Sequence, residues 1–140
     1  MEKKISSDSM MQKRVSAFSR LMKVIDVLHG EKGCPWDKAQ TRSDLMAKFR
    51  EELDEYEAAL LASDEKGMEE ELGDLFLLVL FHAKIAEREE TFDLCGVMDG
   101  LEKKLRRRHP HVFGDRKADS PEEVKEIWKE MKKKERNVLE

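Results

Sequence analysis

The stretch that decides the fold runs from Arg50 to Ile85: R-E-E-L-D-E-Y-E-A-A-L-L-A-S-D-E-K-G-M-E-E-E-L-G-D-L-F-L-L-V-L-F-H-A-K-I. It reads as two helices joined by a short polar turn from Ser63 to Gly67, and a short connection favours antiparallel packing. Glu52 and Glu55 are spaced by three on the first helix, as are Glu71 and Asp74 on the second, so each pair shares a helix face. In the packed hairpin both pairs converge on one point. Four carboxylates gathered in a partly dry groove repel one another and need a counter-charge. A hard divalent cation, magnesium, calcium or manganese, suits an all-oxygen donor set.

Phasing within the stretch separates the acids. Leu45, Phe49, Leu53, Tyr56 and Leu60 are the expected core stripe of the first helix. Glu52 falls beside that stripe, Glu51 nearly opposite it and Glu55 between, which makes Glu52 and Glu55 the better ligands. Glu51 is left to act from beyond the ligands or as a base. On the second helix Leu72, Phe76, Val79 and Ala83 form one face, and Leu78, Phe81 and Ile85 form roughly the opposite one. A helix apolar all round is buried all round, so a partner subunit is expected to cover one face, giving a homodimer or tetramer. His82 is expected as a core histidine satisfied by hydrogen bonding. No second histidine stands at ligand spacing, so zinc is disfavoured.

Working outward, 140 residues with 41% charged and 39% hydrophobic, 3 prolines and 7 glycines suit one all-α domain, a bundle of about five amphipathic helices with a four-helix core completed by dimerisation. The expected core is about 21–134, with tails at 1–8 and 135–140. Two cysteines without a C-x-x-C pairing, no long apolar run and no hydrophobic N-terminal segment point to a reduced, cytoplasmic protein off the membrane. A net charge of −4 disfavours a nucleic-acid polymer as partner. Acid gathers between Glu51 and Glu71 and base between Lys103 and Arg108, which fits a small anionic ligand held through a metal and cations.

Upstream, Met11, Val15, Phe18, Met22 and Ile25 predict a helix ending near His29-Gly30 on a left-handed glycine cap. E-K-G-C-P-W-D-K-A-Q-T reads as a loop whose Trp36 plugs the end of the bundle or, as a minority reading, lines the ligand site. Thr41 or Ser43 caps the next helix. Downstream, Asp93 caps a helix through Leu94, Val97, Met98, Leu101 and Leu105 that stops before Pro110. Lys104 and Arg108 share a face of its last turn, and three successive arginines exceed what helix capping needs, while arginine forks suit phosphate oxygens. H-P-H-V-F-G-D is a turn. S-P-E-E opens a last helix with Ser120 and Glu123 as a capping box, and Val124, Ile127, Trp128 and Met131 give it an apolar side. An indole followed one turn later by Lys132 could stack a base and touch phosphate.

Assembled, these pieces resemble the MazG-type nucleoside triphosphate pyrophosphohydrolases, a family marked by E-E-x-x-E followed by E-x-x-D. Here the motifs are Glu51-Glu52-Leu53-Asp54-Glu55 and Glu71-Leu72-Gly73-Asp74. Three flanking signatures strengthen the match: C-P-W-D at Cys34 to Asp37 followed by Gln40-Thr41, E-L-G-D-L at Glu71 to Leu75, and R-R-H-P-H-V-F-G-D at Arg107 to Asp115. The resemblance runs from about Leu21 to Lys134. It implies an all-α dimer that binds Mg2+, with Mn2+ as a substitute, and hydrolyses (deoxy)nucleoside triphosphates to monophosphate and pyrophosphate in nucleotide-pool house-cleaning. Position by position, Glu52, Glu55, Glu71 and Asp74 match the metal ligands, Glu51 and Glu52 the catalytic acids, and Lys104, Arg108, Trp128 and Lys132 the nucleotide contacts; Trp36 joins them as a substrate-binding candidate. Many family members carry two tandem copies of the domain, and this sequence carries one.

Two alternatives stay open. One is a base-specific dUTP or dCTP pyrophosphatase; the other is a non-catalytic, nucleotide-sensing helical oligomerisation module. A carboxylate-bridged di-iron bundle is disfavoured because neither acidic helix offers Glu-x-x-His.

Overall fold

A computed structural model describes residues 2–139, with side-chain environments for 7–138. The chain is all helical across these residues: α1 (Glu2–Leu28), α2 (Pro35–Ala39), α3 (Arg42–Leu61), α4 (Glu65–Arg88), α5 (Leu94–Arg108), α6 (Pro110–Phe113) and α7 (Pro121–Leu139). Two more helices appear than the five expected, because C-P-W-D and H-P-H-V-F each fold into a short helix with proline in its first turn, where a missing N–H costs nothing. The tails expected at 1–8 and 135–140 continue α1 and α7 over their described parts.

The helices fall into two compact units, Met1–Thr91 and Phe92–Glu140. In the first, α3 and α4 pack as a hairpin. The Thr41 hydroxyl accepts the Asp44 N–H at 3.1 Å while the Asp44 carboxylate accepts the Thr41 N–H at 2.9 Å, so both ends of a capping box start α3. Asp64 caps α4 by accepting the Gly67 N–H at 3.0 Å. The hairpin core holds Leu45, Leu78, Leu80, Phe81, Ala83, Ile85 and Ala86, and Ile25 of α1 is buried with them. Lys84 of α4 pairs with Asp26 of α1 at 2.5 Å and with Glu87 at 3.4 Å, and the His29 ring meets Phe81 edge-on at 4.5 Å.

The end of α1 differs from expectation. Gly30 does not take positive φ; no glycine among the described residues does. The chain instead folds back so that the Cys34 N–H donates to the Leu28 carbonyl at 2.8 Å, and a β-carbon on Gly33 would lie 2.1 Å from that carbonyl oxygen. Glycine is required at Gly33 by close approach rather than by dihedral. Trp36 does not plug the bundle: it is 68% exposed, and Gln40 is the buried residue of this segment, donating to the Trp36 carbonyl at 3.2 Å.

The second unit packs α5 against α6 and α7. Asp93 caps α5 by accepting the Gly96 N–H at 2.8 Å. Ser120 accepts the Glu123 N–H as expected, but the Glu123 carboxylate reaches the Asp119 N–H at 2.8 Å, one residue earlier than a capping box requires.

Gly33→Ala tests the turn. Overpacking against backbone that cannot yield costs about 1–3 kcal/mol, so the urea unfolding midpoint should fall accordingly; an unchanged midpoint would show that the turn yields freely.

Candidate metal and nucleotide site

The buried stripe of α3 is not the one that its leucines suggest. Leu53 and Leu60 are 55% and 52% exposed. The inward positions are Leu45, Phe49, Glu52, Tyr56 and Ala59, stepping by four, three, four and three. Glu52 therefore occupies a core position of the hairpin. On α4 the inward run is Gly67, Glu71, Asp74, Leu78, His82 and Ile85, so Glu71 and Asp74 do the same from the opposite helix. Helix phase places carboxylates where apolar side chains would ordinarily meet.

One carboxylate oxygen from each of Glu52, Glu55 and Glu71 lies within 4.8 Å of the others. Glu52 Oε2 and Glu71 Oε2 are buried and have no hydrogen-bond partner among the described residues. The electrostatic consequence is large. Glu52 is pushed up to about 8, chiefly by its contact with Glu71, then by desolvation and by Glu55. Glu71 is also raised: its contact with Glu52 pulls it down, and desolvation together with the charges of Glu55 and Asp74 outweighs that pull. A cation among these oxygens would relieve the repulsion and satisfy both orphaned atoms, so the donor set fits a hard divalent metal. Asp74 stands outside the tight trio yet acts on both glutamates.

Beside the trio opens a cavity of about 320 Å³, with Leu28, Leu45, Leu77, Leu78 and Phe81 as its apolar wall and Asp37, Lys48, Glu51, Glu52 and Asp74 as its polar one. Glu51 is exposed, as its phase predicts, and still borders this space. Lys48 Nζ also stands 5.7 Å from the centre of the Trp36 ring. His82 packs on Phe49 at 5.5 Å, and its Nε2 is buried without a partner among the described residues, against the expectation of a satisfied histidine. Desolvation, then the Arg42 charge, lowers its pKa and keeps the ring neutral.

In the second unit Arg106 pairs with Glu102 at 2.8 Å, and one acid holds the two arginines that follow. Glu135 accepts from Arg107 Nε at 2.7 Å, from Arg108 Nε at 3.3 Å and from Arg108 Nη2 at 3.0 Å. The two guanidiniums, Arg108 first, hold its carboxyl down at about 2. Trp128 lies 5.6 Å from the His109 ring, edge to face, and His109 Nδ1 lies 2.6 Å from the Leu105 carbonyl.

Comparison with known proteins agrees with this architecture. Residues 40–113 match the model of the MazG nucleotide pyrophosphohydrolase domain. The chain belongs to the MazG family. It is 43% identical to the Bacillus subtilis protein YabN over 123 residues, 88% of this chain and 25% of that protein. It is 37% identical to the nucleoside triphosphate pyrophosphohydrolase of Escherichia coli K12 over 87% of this chain and 47% of the relative, and 39% identical to a Thermotoga maritima relative, named as a MazG nucleoside triphosphate pyrophosphohydrolase/pyrophosphatase, over 85% and 45%. The chain thus spans between a quarter and a half of these relatives. A crystal structure of a MazG-related protein from Thermotoga maritima superposes with a TM-score of 0.68 at 29% identity, covering 80% of this chain and 98% of that one.

Within this MazG domain the structure brings Glu52, Glu55 and Glu71 together, with Asp74 and Glu51 on the adjoining cavity. Trp36 flanks Lys48, and Arg108 is paired with Glu135. Lys104 and Lys132 make no side-chain hydrogen bond or ion pair among the described residues. Asp37, Lys48 and Glu135 were missed by sequence reasoning. Lys48 had a signal, standing four residues before Glu52 on the same face; Glu135 had none, since its partners are 27 and 28 residues away.

The raised Glu52 carboxyl gives the metal-free protein a distinctive pH dependence. The folded state holds a proton there up to about pH 8, while the unfolded chain releases it near pH 4.3, so folded binds more protons than unfolded and stability falls as pH rises through that window. Glu52→Gln should flatten the slope and raise the pH 8 unfolding midpoint in chelator, and millimolar Mg2+ should restore the wild type. Parallel slopes for the two proteins would show that Glu52 is not the strained group.

Proposed function

We propose that the protein is a metal-dependent pyrophosphohydrolase that cleaves nucleoside triphosphates to monophosphate and pyrophosphate, in keeping with the names of its E. coli and T. maritima relatives. The observation that carries this reading is the convergence of Glu52, Glu55 and Glu71, with two buried oxygens that have no partner among the described residues. Glu52, Glu55, Glu71 and Asp74 are assigned as ligands of Mg2+, for which Mn2+ substitutes. When bound, such an ion stabilises charge on phosphate oxygens and lowers the pKa of water. Glu51 borders the cavity with an exposed carboxylate and is assigned as the base that takes the proton of the attacking water. The water oxygen forms the new bond to phosphorus, the anhydride oxygen leaves with pyrophosphate, and the reaction is an in-line displacement whose demands are positioning and charge. The apolar wall of the cavity limits bulk water at the reacting atoms.

Lys104, Arg108, Trp128, Lys132 and Trp36 are assigned to the nucleotide: the cations to the phosphate chain and the indoles to the base. The role we assign is removal of surplus or damaged nucleotides. A homodimer is the working assembly, supported by the apolar line Leu72, Phe76 and Val79 along α4 and by Leu53 and Leu60 on α3, all exposed in the single chain. No helix among the described residues is long and apolar enough to cross a membrane.

Incubation with each common nucleoside triphosphate and Mg2+ should yield monophosphate and pyrophosphate by chromatography, with chelator abolishing turnover. Glu55→Gln, Glu71→Gln and Asp74→Asn should each lower kcat/KM by about 10²-fold or more while keeping the helical spectrum; wild-type turnover in any of them would remove that residue from the site. Phe76→Glu should shift the sedimentation coefficient toward monomer, and an unchanged value would place the dimer interface elsewhere.

A further inference from the structure

Glu135 does more at the end of α5 than neutralise a charge. Adjacent helical residues point about 100° apart, yet Arg107 and Arg108 both turn onto this one carboxylate. Arg108 engages it side-on, through Nε and Nη2, and Arg107 through Nε alone. Each guanidinium has five N–H donors. The outer edge of Arg108, including both N–H groups of Nη1, and both terminal nitrogens of Arg107 have no acceptor among the described residues. The forks are therefore held by their inner edges with their outer edges free, and the trio keeps a net positive charge.

The position of Glu135 on α7 reinforces this. It follows Trp128 by seven residues and Lys132 by three, which puts all three on one helix face. The Arg108 and Glu135 side chains are each 23% exposed, so the pair is partly shielded but open to a ligand. A partly exposed ion pair adds modest stability, whereas a fork fixed in advance loses less side-chain entropy when it meets a planar set of phosphate oxygens.

We propose that Glu135 is a positioning residue for substrate: by holding the inner edges of Arg107 and Arg108 it presents their outer edges to the phosphate chain of the nucleotide. This rests on the pyrophosphohydrolase reading above. Arg108 touches the phosphates, and Glu135 acts through it without touching the substrate.

The test combines steady-state kinetics on dATP with Mg2+ and calorimetric binding of the non-hydrolysable α,β-methylene analogue of dATP. Glu135→Gln keeps the shape of the side chain but offers the arginines an amide in place of a carboxylate. It should raise KM and the analogue Kd by about tenfold, leave kcat within about twofold and lower the thermal midpoint of the apo protein only modestly. Glu135→Asp should recover part of the loss. In the Arg108→Lys background, where only the Arg107 contact is left for Glu135 to hold, Glu135→Gln should raise the KM by clearly less than it does in the wild type. An unchanged KM would overturn the proposal, and so would additive effects in the double variant. A lowered KM would overturn it too, showing that Glu135 competes with phosphate instead of preparing for it. A wild-type protein that neither hydrolyses dATP nor binds the analogue would refute the pyrophosphohydrolase reading itself, whereas an active wild type with an indifferent Glu135→Gln refutes only the positioning role.

Discussion

Three carboxylates at the seam of a two-helix hairpin are the constraint on which the rest of the first unit depends. Glu52 and Glu71 sit at positions that would hold leucine in an ordinary α3–α4 interface, and their buried oxygens meet no donor among the described residues. Desolvating such groups without compensation costs free energy, and mutual repulsion adds to it. The hairpin tolerates this because its apolar packing lies on the far side of the acids, from Leu78 to Ala86, where six of nine residues are buried. The buried apolar run thus occupies one end of α4 and the uncompensated acids the other.

The bracing of that stable end follows the same logic. Lys84 is the one charged side chain in the apolar run of α4, and it is directed to Asp26 of α1. Arg88 reaches the Lys38 carbonyl at 3.1 Å, and Lys38 in turn donates to the Gly30 and Glu31 carbonyls at 3.1 and 3.2 Å. These links tie the loop between α1 and α2 to both α2 and α4. They also fix α2, which carries Asp37 to the cavity rim. A segment that reads as punctuation thus acts as a strut.

What the residues disclosed in advance was whatever depends on local spacing. The caps at Thr41 and Asp93 lie within three residues of the N–H groups they satisfy, and the acid pairs share faces by helical arithmetic. The phase of α3 was misread because Leu53 and Leu60 look like core residues; hydrophobicity alone cannot tell a leucine facing the hairpin from one facing away. Glu52 was placed beside the stripe when it belongs to it. Trp36 was read as a plug for a similar reason: a large aromatic is usually buried, but this one lies exposed on α2, next to Lys48.

Long-range pairing is where sequence reasoning runs out, and Glu135 shows why. Nothing in K-K-K-E-R distinguishes this glutamate from the many acids of a chain that is 41% charged. Its significance comes only from α7 packing on α5, which brings it to a pair of arginines. The arginines themselves were legible, because three in succession exceed what a helix terminus needs. An unbound arginine cluster faces the converse of the problem at the glutamate seam: like charges gathered without a partner repel and disorder one another. The two units meet it differently. The acids are left short of counter-charge and fit a metal, whereas the arginines receive a single fixed carboxylate that quiets their repulsion and still leaves most of their donors free.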